Sequence, residues 1–168
     1  MKIIVSPAKT MIENTDSYIG SSIPTYIDHS ETLLKEIRKK TYEELKEIWK
    51  CNEKIADENF ERFKDMNLQG SLTPAIFSYQ GIQYQYMAVN VMEASAIEYI
   101  RENLYILSGF FGILRAFDGV SPYRLEMQAK FFVEEHKNLY EFWGDKIYKK
   151  LFEKDDVVIN LASKEYSK

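Results

Sequence analysis

Three short apolar runs stand far apart in this chain, at Lys2 to Val5, Leu104 to Leu107 and Val157 to Asn160. Runs of this length, each closed by turn-forming residues, read as buried strands. The sequence between them is largely helical in pattern. Strands so widely separated must be brought together by tertiary folding, with helices covering the sheet they make. The expected fold is therefore mixed α/β (mixed α+β): a central mixed sheet with a helical block inserted early. Pro74 to Ser78 reads as a further strand ending at Tyr79-Gln80-Gly81. Gly109-Phe110-Phe111-Gly112 breaks the run at 104–107, with a short helix through Ile113-Leu114 after it. Leu139 to Phe152 reads as a helix running through Gly144.

The inserted block spans residues 30–66 as consecutive helices. Ser30 is placed as the first cap, before a stripe of Leu33, Leu34 and Ile37. Thr41-x-x-Glu44 is a capping box, followed by Leu45, Ile48 and Trp49 at helical spacing. Asn52 caps a third helix, whose inner side carries Ile55, Asn59, Phe60, Phe63 and Met66. Residues 31–69 hold 10 acids and 9 bases, a mixture that suits a solvated helical face. Ser95-x-x-Glu98 reads as another capping box. Residues 11–27, with Asn14, Asp16, Gly20, Ser21, Ser22 and Pro24, form a long loop, and Asp155-Asp156 an acidic turn.

With 168 residues, 45% of them hydrophobic, the chain can bury one sizeable core. We expect a single domain over 1–168. Lys and Arg number 22 against 26 Asp and Glu, a net charge of −4. That excludes a uniformly basic nucleic-acid coat but leaves room for a local basic patch. The apolar stretches all end well short of the ~18 residues of a membrane span. One cysteine, Cys51, with His29 and His136 makes a poor metal set, so no metal or other cofactor is expected, and the setting is the reducing cytoplasm.

Few motifs carry chemistry. Ser6-Pro7-Ala8-Lys9 has the S-x-x-K spacing, which on a helix sets the lysine amine one turn from the serine hydroxyl. Ser6 with Pro7 behind it suits such a helix start. The Ser-Asp-Asn and Lys-Thr-Gly partners of serine acylases are missing, and a helix start with Lys9 also suits an anion. Gly109 and Gly112, with Arg115 following, allow a tight turn and close approach of an anion, or serve only strand-to-helix packing. Arg124 and Glu126 face the same way if extended, as an ion pair that organises a site or merely braces the fold. Tyr79, Tyr84 and Tyr86 are stacking faces for bases or the edge of an aromatic core, and Trp143 reads as a core anchor.

Five segments in order resemble the YaaA-type peroxide-stress proteins of bacteria. They are Ile4-Val5-Ser6-Pro7-Ala8-Lys9-Thr10, Leu107-Ser108-Gly109-Phe110-Phe111-Gly112-Ile113-Leu114-Arg115 and Pro122-Tyr123-Arg124-Leu125-Glu126-Met127, then Leu139-Tyr140-x-Phe142-Trp143-Gly144-Asp145 and Val158-Ile159-Asn160-Leu161-Ala162-Ser163-x-Glu165-Tyr166. The resemblance implies a cytoplasmic protein that limits free iron during hydrogen peroxide stress. It also implies DNA binding across a positively charged cleft; the DNA is expected to be duplex or branched, with weak sequence preference because nothing in the sequence resembles a recognition helix. A helix-hairpin-helix element belongs to that fold, placed here at Gly109 to Gly112. Family members run on past Asn160-Leu161-Ala162-Ser163, so the 168-residue chain is expected to lack a C-terminal part and to leave the last strand exposed. Where the family tends to read Gly-Asp-Val-Tyr-x-Gly, this chain has Gly81-Ile82-Gln83-Tyr84-Gln85-Tyr86.

Three working readings then stand, one of them that the 168-residue product is an incomplete and inactive remnant; the other two assign it a site. One is a DNA-binding stress protein using Lys9, Gly109, Gly112, Arg115 and Arg124. The other is an enzyme of unknown reaction built on Ser6, Lys9, Arg115, Arg124, Glu126 and Asn160, with Ser163 a further polar candidate. Convergence in one enclosed pocket favours the enzyme; an open basic groove favours DNA.

Overall fold

The computed structural model describes residues 1–14, 19–70, 72–154 and 156–167. Asp16 of the 11–27 loop and Asp155 of the acidic turn lie outside the described residues. The chain opens with β1 (Lys2–Val5) and β2 (Thr10–Met11). The helical block follows as α1 (Ile27–Arg38), α2 (Tyr42–Trp49) and α3 (Glu53–Asp65). Thr41 and Glu44 form the full capping box of α2, and Asn52 Oδ1 accepts the Ile55 N–H at the start of α3. Each such cap is worth about 1 kcal/mol.

Ser30 is not a cap. The α1 helix begins at Ile27, and the buried Ser30 hydroxyl donates to the Phe110 carbonyl at 3.0 Å, tying the helix to a distant turn. The run 74–78 is not a strand either. It divides into β3 (Thr73–Pro74), one helical turn α4 (Ala75–Ser78) and β4 (Tyr79–Gln80). Then come α5 (Ile82–Met87) and α6 (Ala94–Asn103). Ser95 caps nothing, since α6 starts before it, and Glu98 pairs instead with Arg101 at 3.3 Å.

The strand β5 (Leu104–Ser108) turns back antiparallel into β6 (Gly112–Arg115), with Ser108 opposite Gly112. Residues 109–112 are thus the tip of a β-hairpin. Neither a helix-hairpin-helix element at Gly109–Gly112 nor a helix through Ile113-Leu114 is present there. The tip is fixed by Ser108, whose Oγ accepts the N–H groups of Phe110 (3.2 Å) and Phe111 (2.8 Å). After β7 (Gly119–Val120), the expected helix at 139–152 is two helices, α7 (Leu139–Trp143) and α8 (Lys146–Leu151). The break falls at Gly144, whose φ of +50° lies in the left-handed region that glycine accepts. The last strand is β8 (Val158–Asn160).

The central sheet has the order β6-β5-β1-β8, with β1 parallel to both neighbours and β6 antiparallel. Side chains alternate strictly between its faces. Ile3, Val5, Leu104, Ile106 and Leu114 join the main core under the helical block, where Leu33, Ile37, Leu45, Trp49 and Phe63 are buried. Ile4, Leu107 and Ile113 face the other way, against Leu151 of α8. The buried Lys2 ammonium closes that side by donating to the Leu151 (2.7 Å) and Lys150 (3.0 Å) carbonyls at the end of α8. No helix among the described residues is long and apolar enough to cross a membrane.

Candidate functional site

Because β1, β5 and β8 run parallel, their carboxyl ends lie side by side, with β1 in the middle. In open α/β sheets the crevice outside such ends is where ligands sit. Ser6 follows β1, and 161–163 follow β8. The Ser163 N–H donates to Ser6 Oγ at 2.8 Å, while the Ser6 carbonyl accepts the Tyr84 hydroxyl, also at 2.8 Å. Ser6 therefore starts no helix. Residues 6–9 run on to β2, and Lys9 does not sit one helical turn behind the serine. Both nonetheless line one small polar cavity of about 190 Å³, together with Arg124, Glu126, Ser163 and Tyr166.

The segment carrying Arg124 and Glu126 is pressed against the hairpin tip. A side chain on Gly109 would meet the Leu125 carbonyl at 2.4 Å, so only glycine permits this approach. Tyr123 is held by its phenol, which lies 2.6 Å from Ser108 Oγ and 2.7 Å from the Tyr79 hydroxyl. Burial pushes the Tyr123 phenol up to about 12, opposed by those two hydrogen bonds, so it stays neutral. Burial, with the neighbouring Tyr123, likewise pushes Tyr166 upward. Arg124 and Glu126 do face the same way. Arg124 Nη2 reaches Glu126 Oε1 at 3.2 Å, and Lys9 Nζ reaches Glu126 Oε2 at 3.1 Å. Arg124 is almost enclosed, with 11% of its side chain exposed, whereas Lys9 has 64% exposed.

A second cavity, of about 290 Å³, lies on the other side of the same three residues. Lys50 and Lys130 join Lys9 and Arg124 in its wall, and Glu126 is the one acid among the lining residues. Lys9, Lys50 and Lys130 are all exposed. A strongly cationic cleft thus sits in a chain whose net charge is −4. Two buried N–H donors in this wall, Arg124 Nε and Trp49 Nε1, have no hydrogen-bond acceptor among the described residues. Lys50 and Trp49 were not legible as site residues. Their signal is only the left-handed turn at Lys50 (φ 47°) that ends α2, and it becomes visible once the structure is known.

The other candidates stand apart. Arg115 ends β6 opposite Tyr105, at the amino-terminal end of the parallel strands, and lines neither cavity. Its N–H donates to the buried Asp118 carboxylate at 2.8 Å. Desolvation raises the Asp118 pKa, against hydrogen bonds from Ser22 and Arg115. Gly112 packs under Trp143 rather than beside an anion, and the Trp143 indole donates to the Gly109 carbonyl at 2.9 Å. Asn160 Oδ1 accepts the Ala162 N–H and lines a separate apolar groove. Tyr79 and Tyr84 are buried, and Tyr86 is exposed. His29 packs among Tyr26, Phe142 and Trp143. Among the described residues, no three His, Cys, Asp or Glu side chains group so as to hold a metal ion.

Fold and site together define an α/β protein with a polar, cation-rich cleft at the carboxyl edge of its sheet. The chain belongs to the family of the peroxide stress protein YaaA, whose family model matches residues 1–168. It is 57% identical to a UPF0246 protein of Lachnoclostridium phytofermentans, over all of this chain and 66% of that protein. It is 54% identical to a UPF0246 protein of Ligilactobacillus salivarius and 53% identical to one of Agathobacter rectalis, each over all of this chain and 68% of the relative. The chain thus spans about two thirds of the length of these curated relatives.

Proposed function

We propose that the chain serves the peroxide-stress response by binding DNA through the cationic cleft, in the cytoplasm, and so helps to protect DNA and limit free iron. The observation that supports this is the gathering of Lys9, Lys50, Arg124 and Lys130 around one cavity whose lining holds a single acid, Glu126. Exposed lysines of this kind pair with phosphates by releasing counterions, and they carry little sequence information. Binding should therefore be of modest strength, weakly selective in sequence and sharply reduced by salt. The action on iron would be indirect.

The test is titration of the full chain with duplex and branched DNA at several salt concentrations. Lys9→Glu and Lys130→Glu should weaken binding to all duplexes alike, each lowering the salt slope by roughly one. Arg115→Glu, at the opposite end of the sheet, should leave affinity unchanged. Absence of binding at low salt overturns the DNA reading.

One observation favours the second reading, an enzyme. Ser6, Lys9, Arg124 and Glu126 share one small cavity with Ser163, although Arg115 lies outside it. Ser6→Ala separates the two readings: it removes a nucleophile but no cation that would meet DNA phosphates.

A further inference from the structure

The two cavities described above share the wall formed by Lys9, Arg124 and Glu126, and their chemistry differs on its two sides. One side is cationic, with the exposed ammonium groups of Lys50 and Lys130. The other offers the hydroxyls of Ser6 and Ser163 beside the rings of Tyr123 and Tyr166, with a second carboxylate, Glu165, that keeps a phosphate to the cationic side. A site of this kind suits a molecule with a phosphate at one end and a ring-bearing, hydrogen-bonding body at the other. The cavities, about 290 and 190 Å³, are far too small for a duplex but match one phosphorylated unit.

The Lys9–Glu126 contact joins a mostly exposed lysine to a carboxylate already held by Arg124, so Lys9 can turn to an incoming phosphate at little cost.

We infer that the paired cavities bind a single phosphorylated nucleotide unit, its phosphate among Lys9, Lys50 and Lys130 and its sugar or base against Ser6 and Ser163. This rests on the DNA-binding reading for the use of the cations, but it requires only one nucleotide. The shared chemistry is a phosphate monoester, supplied by a free mononucleotide or by the phosphorylated end of a strand.

The experiment is calorimetric titration of the full chain with inorganic phosphate, deoxyadenosine, deoxyadenosine 5′-monophosphate, and a DNA hairpin bearing either a 5′-phosphate or a 5′-hydroxyl. The mononucleotide should bind at least about tenfold more tightly than phosphate or the nucleoside alone. Lys130→Glu, on an exposed side chain, should weaken the mononucleotide and phosphate alike. Ser163→Ala should weaken the mononucleotide and spare phosphate. Thermal melting of each unliganded variant separates lost binding from lost folding, and the Lys130→Glu arm does not depend on the turn at Ser163. Preference for the 5′-phosphate hairpin assigns the site to strand ends. Equal hairpins with a bound mononucleotide assign it to the free nucleotide. A mononucleotide no tighter than phosphate overturns the inference. Hairpins that bind equally without any mononucleotide binding overturn it while leaving the DNA reading intact. No binding of any of these at low salt overturns both.

Discussion

The Ser163 N–H donates to Ser6 Oγ at 2.8 Å across 157 positions of sequence. The bond joins the exits of β1 and β8, which β1 pairs directly, and it holds the 163–167 turn as one wall of the polar cavity. The same Ser6 carries the Tyr84 phenol on its carbonyl. Ser6, which starts no helix, thus also acts as a clasp between the exits of β1 and β8.

Ser6→Ala tests the clasp. It leaves the Ser163 N–H without its acceptor, and loss of such a bond should cost about 1 kcal/mol. Urea denaturation measures this, and limited proteolysis should show faster cleavage within 163–167. Unchanged stability and cleavage would mean that the turn stands without Ser6.

Gly112→Ala should be more damaging. Gly112 has a φ of +71°, and an added Cβ would lie 2.7 Å from the buried Trp143 ring. Left-handed strain and overpacking together should cost roughly 2–4 kcal/mol. The midpoint of chemical denaturation should fall, and Trp143 fluorescence should report the disturbed packing.

Asp118 supplies a pH dependence. Desolvation raises its pKa in the folded chain above the ordinary value of 3.8. The folded state therefore holds the proton to higher pH than the unfolded state does. This group's contribution is fully present below pH 3.8 and is lost as pH rises through its raised pKa. Relative to Asp118→Asn, which does not titrate, the natural chain should lose stability over that window and then level off. Urea midpoints of both proteins at stepped pH check the sign. A gap that widens in favour of the natural chain as pH rises would contradict it.

The strand β8 lies at one edge of the sheet, with Val157, Ile159 and Leu161 exposed beside it. Open apolar edges promote association between chains, and a lysine on such an edge opposes it. Ile159→Lys should reduce concentration-dependent light scattering without lowering the melting temperature. Equal scattering by both proteins would remove β8 as its source.

The three strands of the central sheet seen as apolar runs, and the caps at Thr41 and Asn52, were legible because each depends on a few neighbouring residues. Apolar runs bounded by turn formers, and hydroxyl or amide groups placed before helical stripes, act locally. The ion pair of Arg124 with Glu126 was legible too, since an extended segment turns alternate residues to one side. Other features answered to contacts and backbone angles that no local pattern displays. Residues 109–114 make an apolar run too short to show a period, and pairing with 105–108 made it a hairpin rather than a helix. Ser30 was drawn into α1 by the Phe110 carbonyl, and residues 139–152 were split where Gly144 takes a left-handed turn. The cleft depended most on tertiary structure. Lys9, Lys50, Arg124 and Lys130 come from three separate stretches of chain, and Arg115, close to Arg124 in sequence, is carried to the other end of the sheet by an antiparallel strand. Local sequence determined which elements form, because propensity and capping act over a few residues. Only the tertiary structure decided which charges meet, because that depends on strand order and direction.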